Sequence, residues 1–158
     1  MQNFIQPYKQ SHKGKSMSKK ILLVEHSSYE ANLTQRVLKN LGYQVCHVQL
    51  GASVASQISQ FQPDLVLLNT DLADFDSFDM CKTLKSNAHT QLLPIIMFGK
   101  ADLRPDSAIC AYEAGANYYF SKDTQLGPTL GILTRLVFER TNRRQSTGFI
   151  EMRHLFVS

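Results

Sequence analysis

The sequence predicts a single α/β domain, a five-stranded parallel sheet doubly wound with helices on both faces. Three observations carry this reading. Short, nearly continuous apolar runs recur from residue 21 onward, segments of helical period lie between them, and glycine or proline marks many of the junctions. Continuous rather than alternating apolar runs belong to strands buried on both sides, as in parallel sheets.

The strands are read at 21–24, 44–48, 65–68, 95–98 and 117–120. The first helix opens with Ser27-Ser28-Tyr29-Glu30, a capping-box pattern in which a serine side chain accepts from early helical amides while Glu30 reaches back. Leu33, Val37 and Leu41 follow on one face, and Gly42 supplies the end. The second helix carries Val54, Ile58 and Phe61 until Pro63 stops it. The third opens at Asp76 and turns Phe78, Cys81 and Leu84 inward, and the fourth runs over 106–113 to Gly115. The fifth begins after Gly127 with Pro128 in its first turn, continues through Leu130, Leu133, Leu136 and Val137, and is expected to fray near Arg143.

The domain organisation follows: a disordered tail at 1–16, the folded domain at 17–144 and a carboxyl tail at 145–158. Met17 stands as a second candidate start directly before the first strand. The last segment, with Phe149, Ile150, Met152, Leu155 and Phe156, is apolar enough to dock on the domain or on a partner.

At 158 residues and 43% hydrophobic content the chain can bury one core. Its apolar runs are too short to span a bilayer, and its first twenty residues lack the apolar block of a signal peptide, so a cytoplasmic location is expected. Cys46, Cys81 and Cys110 are odd in number, without metal-ligand spacing, and read as free thiols. The net charge is −2 over 17–124 and +3 in each flank, so the basicity sits outside the domain.

Doubly wound sheets hold their ligand sites at the carboxyl ends of strands, where strand order reverses. The residues there are Glu25 and His26, Asn69, Gly99 and Lys122. The run Pro63-Asp64-Leu65-Val66-Leu67-Leu68-Asn69, with Pro94-Ile95-Ile96-Met97-Phe98-Gly99 and Tyr118-Tyr119-Phe120-Ser121-Lys122, resembles the receiver domains of response regulators over roughly 20–123. The resemblance implies a flavodoxin-like (CheY-like) sheet in order 2-1-3-4-5 with five flanking helices, and a pocket built from the same five positions.

In that family an aspartate at position 69 accepts phosphate, two acidic residues after the first strand help it hold magnesium, and a hydroxyl after the fourth strand couples phosphorylation to a conformational change. Asn69 is a neutral amide and a poor nucleophile. His26 takes the place of one carboxylate, and losing two negative charges within ~4 Å of the ion removes up to roughly 4 kcal/mol each at an effective dielectric of 20. Gly99 has no hydroxyl. Lys122 matches the family's phosphate-contacting lysine, but Asp123 follows it where the family has a cis proline, so a trans bond is expected there. Its expected partners are Glu25 or the Asn69 amide. Ala73 and Ser77 replace the family's loop proline and glycine, and Tyr119 matches its possible switch aromatic.

These departures imply a degenerate phosphorylation pocket (Glu25, His26, Asn69, Gly99 and Lys122) with no catalytic residue, no functional metal site and no cofactor. The expected function is a pseudo-receiver, a phosphorylation-independent protein-interaction module in signal transduction. Its expected partners are proteins such as a histidine kinase or another regulator. The resemblance assigns contact faces at 29–41 and 106–139, the second, of fourth helix, fifth strand and fifth helix, also serving a possible homodimer. Two alternatives stand beside this: a conventional regulator phosphorylated at Asp71 or Glu25, and nucleic-acid binding through the basic flank of Arg135, Arg140, Arg143 and Arg144, which lacks a helix-turn-helix or an aromatic platform. A nucleotide pocket at Glu25-His26-Ser27-Ser28 matches phosphate-loop patterns weakly.

Overall fold

The computed structural model describes residues 18–100 and 105–157, with side chains through residue 144. The expected tail at 1–16 lies outside the described residues. The elements run β1 (Lys20–Val24), α1 (Ser28–Asn40), β2 (Gln44–Val48), a short 3-10 turn (Gly51–Ser53), α2 (Val54–Phe61), β3 (Leu65–Asn69), α3 (Ser77–Ser86), β4 (Ile95–Gly99), α4 (Ser107–Glu113), β5 (Tyr118–Ser121) and α5 (Leu126–Val157). All strand pairs are parallel, in the order β2-β1-β3-β4-β5 that the receiver resemblance implies.

Period-two burial builds two cores on one sheet. Leu22, Val24, Val66, Leu68, Ile95 and Met97 pack toward Val54, Phe78 and Cys81 of α2 and α3. Ile21, Leu23, Leu65, Leu67, Ile96 and Phe98 pack toward Leu38, Leu130 and Val137 of α1 and α5. Each such side chain withdrawn from water contributes about 1.5–3 kcal/mol, so strand positions are strongly specified. No helix among the described residues is long and apolar enough to cross a membrane.

The expected helix faces need correction. On α1 the buried residues are Ala31, Thr34 and Leu38, whereas Leu33 and Leu41 stay about two-fifths exposed. Thr34 tolerates burial because its hydroxyl donates to the Glu30 carbonyl at 3.1 Å. On α5, Thr134 is fully buried, donating to the Leu130 carbonyl at 2.7 Å and accepting from the Tyr43 hydroxyl at 3.0 Å, while Leu136 is 38% exposed. A threonine whose hydroxyl is satisfied along the helix packs as a small apolar residue, which hydropathy patterning does not register.

α5 differs at both ends from the reading. It begins at Leu126, placing Pro128 third, and instead of fraying near Arg143 it continues to Val157. No proline follows Pro128, the one glycine beyond Arg143, Gly148, costs only about 1 kcal/mol, and extending a formed helix is far easier than nucleating one.

Candidate functional site at the carboxyl edge of the sheet

The register brings the ends of β1, β3, β4 and β5 to one edge: Val24 pairs with Leu68, Asn69 with Phe98, and Gly99 with Ser121. Connections leaving β1 and β3 run to opposite faces, and the crevice they leave holds the residues just past each strand.

Glu25 lies at its floor, wholly buried. Its Oε1 accepts from Asn69 Nδ2 at 2.8 Å and from the Ser27 amide at 3.1 Å, and its Oε2 accepts from Lys122 Nζ at 2.8 Å. The backbone orients the Asn69 amide: the Asp71 N–H donates to Asn69 Oδ1 at 2.9 Å, so the NH2 end must face Glu25. Position 69 therefore presents a hydrogen-bond donor, not an oxygen, to the crevice. Below it, Ser77 Oγ donates to the Asn69 carbonyl at 2.6 Å, giving the serine at this loop position a definite task.

Lys122 is placed by its own amide, which donates to the Gly99 carbonyl at 2.8 Å, and by the Phe98 ring face 5.3 Å from its ammonium. Its peptide bond to Asp123 is trans. The ammonium also bonds the Glu30 carboxylate, which Lys100 approaches at 4.0 Å. That hydrogen bond, reinforced by the charges of Lys122, Lys100 and His26, holds the Glu30 carboxyl below its ordinary range against the opposing effect of burial. The capping box is thus half formed: Ser27 Oγ accepts from the Glu30 amide at 3.3 Å, but the Glu30 side chain turns away to the cation.

Of the predicted residues, Glu25, Asn69 and Lys122 join in direct hydrogen bonds. His26 stands beside them, its Nδ1 3.4 Å from Glu25 Oε1, on the rim of a cleft of about 200 Å³ that Asp71 and Lys100 also line. Tyr119 does not line the cleft; it packs, half-buried, on the α2–α4 side of the sheet. Glu30 escapes sequence reasoning because its pattern already had a local explanation. The available signal was its place in the first turn of α1, directly after β1, where a side chain can lean over the strand ends.

Thr70 was missed as well. A Cβ built on Gly99 would collide with the Thr70 hydroxyl and stand 3.3 Å from its Cβ, so a threonine fills the space that a side chain at 99 would take. Gly99→Thr should therefore lower stability by about 1–3 kcal/mol as an overpacking change, and Thr70→Ala in the same chain should recover most of it. A urea series on the four members of that cycle measures the coupling, and additive effects would contradict the steric account.

Receiver domains hold magnesium at this edge, and the residues present do not fit it. Both Glu25 oxygens are engaged, Asn69 turns nitrogen inward, His26 offers nitrogen where a hard cation prefers oxygen, and Lys122 supplies the positive charge. Among the described residues no three His, Cys, Asp or Glu side chains converge to hold a metal.

Comparison with known proteins agrees with this architecture. The response regulator receiver domain family matches residues 21–130. Response regulator PleD of Caulobacter vibrioides is 28% identical over 137 residues, covering 84% of this chain and 30% of PleD. The transcriptional regulatory protein GltR of Pseudomonas aeruginosa is 30% identical over 102 residues, covering 65% of this chain and 42% of GltR. The chain thus spans less than half the length of either relative. The signal receiver domain of a response regulator from Bermanella marisrubri superposes with a TM-score of 0.69 at 26% identity, covering 77% of this chain and 99% of that one. With the family match, the 2-1-3-4-5 sheet and the crevice at the ends of β1, β3 and β5 in agreement, the chain belongs to the response regulator receiver domain family.

Proposed function

We propose that this receiver domain signals through protein contacts without a phosphorylation cycle, as a pseudo-receiver. One observation carries the reading: the residue ending β3 is a buried amide that donates to Glu25, in the place where phosphotransfer needs a free carboxylate. The ion pairs that hold Lys122 point the same way, since an ammonium already fixed between Glu25 and Glu30 is less available to a phosphoryl group.

On this reading the domain turns over no substrate, works in the cytoplasm and meets a kinase or another regulator through its surface. Tyr29 and Leu33 are exposed on α1, and Ile109, Tyr112 and Ile132 are exposed on α4 and α5, the latter a face suited to a second copy. Incubation with acetyl phosphate and magnesium, read by intact mass, tests the proposal. No mass gain is expected, and stoichiometric addition of one phosphoryl group overturns it. Asp71 supports the second reading, a conventional receiver with a shifted acceptor, because it lines the same cleft. Peptide mapping of any phosphoryl group to Asp71 would decide for it.

A further inference from the structure

At the opposite pole of the sheet, beneath β4 and β5, lies a second and larger cleft of about 450 Å³ between the end of α3 and the outer turns of α5. Three cations line it: Lys85, Arg140 and Arg144. Lys85 is half-buried, yet its ammonium meets only neutral acceptors, the Leu93 carbonyl at 2.8 Å and Asn117 Oδ1 at 3.0 Å. No carboxylate among the described residues forms a salt bridge with Lys85, Arg140 or Arg144. Asp64 also lines the cleft, and its carboxylate accepts from the Lys20 amide at 2.8 Å.

Burial, and the nearby Arg144 charge, push the Lys85 ammonium below its ordinary range. With three cations against the one carboxylate of Asp64, the cleft keeps an excess of positive charge that a bound anion would offset. The remaining walls are mixed: apolar Leu93, Val137 and the Tyr118 ring, over which Arg140 lies at 5.6 Å, stand beside polar Gln91, Asn117 and Thr141. The volume falls in the range of small-molecule sites, and two guanidinium forks with an ammonium suit phosphate oxygens.

We infer that this cleft binds a small organic phosphate, its phosphoryl group held by Lys85, Arg140 and Arg144 and its apolar part against Leu93 and Tyr118. Two of the three cations sit one turn apart on α5, the helix that continues beyond the domain, so an occupant would bear directly on that helix. The inference is independent of whether the opposite edge can be phosphorylated.

Backbone NMR titration of the full chain with phenyl phosphate and with inorganic phosphate, at constant ionic strength, tests it. Saturable shifts at Lys85, Asn117 and Tyr118 are expected, with phenyl phosphate the tighter of the two. Arg144→Gln, at an exposed position where folding is not at stake, should weaken binding about tenfold, the loss of one charge-assisted hydrogen bond. Arg36→Gln, an exposed cation on α1, should leave it unchanged. No saturable shift below about 10 mM, or equal weakening by both substitutions, overturns the inference.

Discussion

Lys122→Met is expected to cost about 3–5 kcal/mol of folding free energy, because it strips the cationic partner from a carboxylate that has no access to water. Glu25 would keep only the Asn69 amide and the Ser27 N–H. A urea melt should show a lower midpoint with an unchanged slope, and each kcal/mol should lower Tm by about 2–4 °C in a chain of this size. A loss under about 1 kcal/mol would rank the pair with ordinary surface bridges and remove the structural role assigned to it.

The same substitution changes the response to acid. The Glu30 carboxyl is depressed from its ordinary value of 4.5, chiefly by its hydrogen bond from Lys122. A depressed carboxyl contributes stability that is full above its unfolded value and is lost as pH falls through its folded one. Stability of the natural protein should therefore decline below about pH 4.5, and Lys122→Met should decline less steeply over that window.

Asn69→Asp is the second large effect. The substitution replaces a donor that faces Glu25 at 2.8 Å with a second carboxyl in a site only 1% exposed. Like charges so close cost up to about 4 kcal/mol even at an effective dielectric of 20, and we expect a loss of about 2–4 kcal/mol at pH 7. The introduced carboxyl would hold its proton to higher pH than a free aspartate, so the penalty should shrink as pH falls toward the ordinary carboxylate range. Millimolar magnesium should stabilise the variant and leave the natural protein unmoved, since only the variant sets a second carboxylate directly against Glu25. A variant as stable as the natural chain at pH 7 without magnesium would mean that the amide is not the element holding Glu25.

These two experiments probe residues that were visible before any coordinates. Glu25, Asn69 and Lys122 stand at the ends of apolar runs, and a parallel sheet brings such ends to one edge whatever the details of packing. Glu30 and Thr70 were not visible in this role. Their partners are remote or concealed: Glu30 reaches Lys122, 92 positions away, and Thr70 matters only because Gly99 leaves room beside it.

Strand positions were likewise determined by the sequence, because burial on both faces demands unbroken apolar runs and a slip of one residue would invert every side chain, whereas strand order was legible only through the resemblance to receiver domains. Helix faces, the length of α5 and the partner of each charge were decided only in the tertiary structure. A helix can rotate by a fraction of a turn at little cost when a threonine satisfies its own hydroxyl, as Thr34 and Thr134 do. An ammonium goes to whichever carboxylates the fold sets within reach, and that choice depends on distances across the sheet rather than on spacing along the chain.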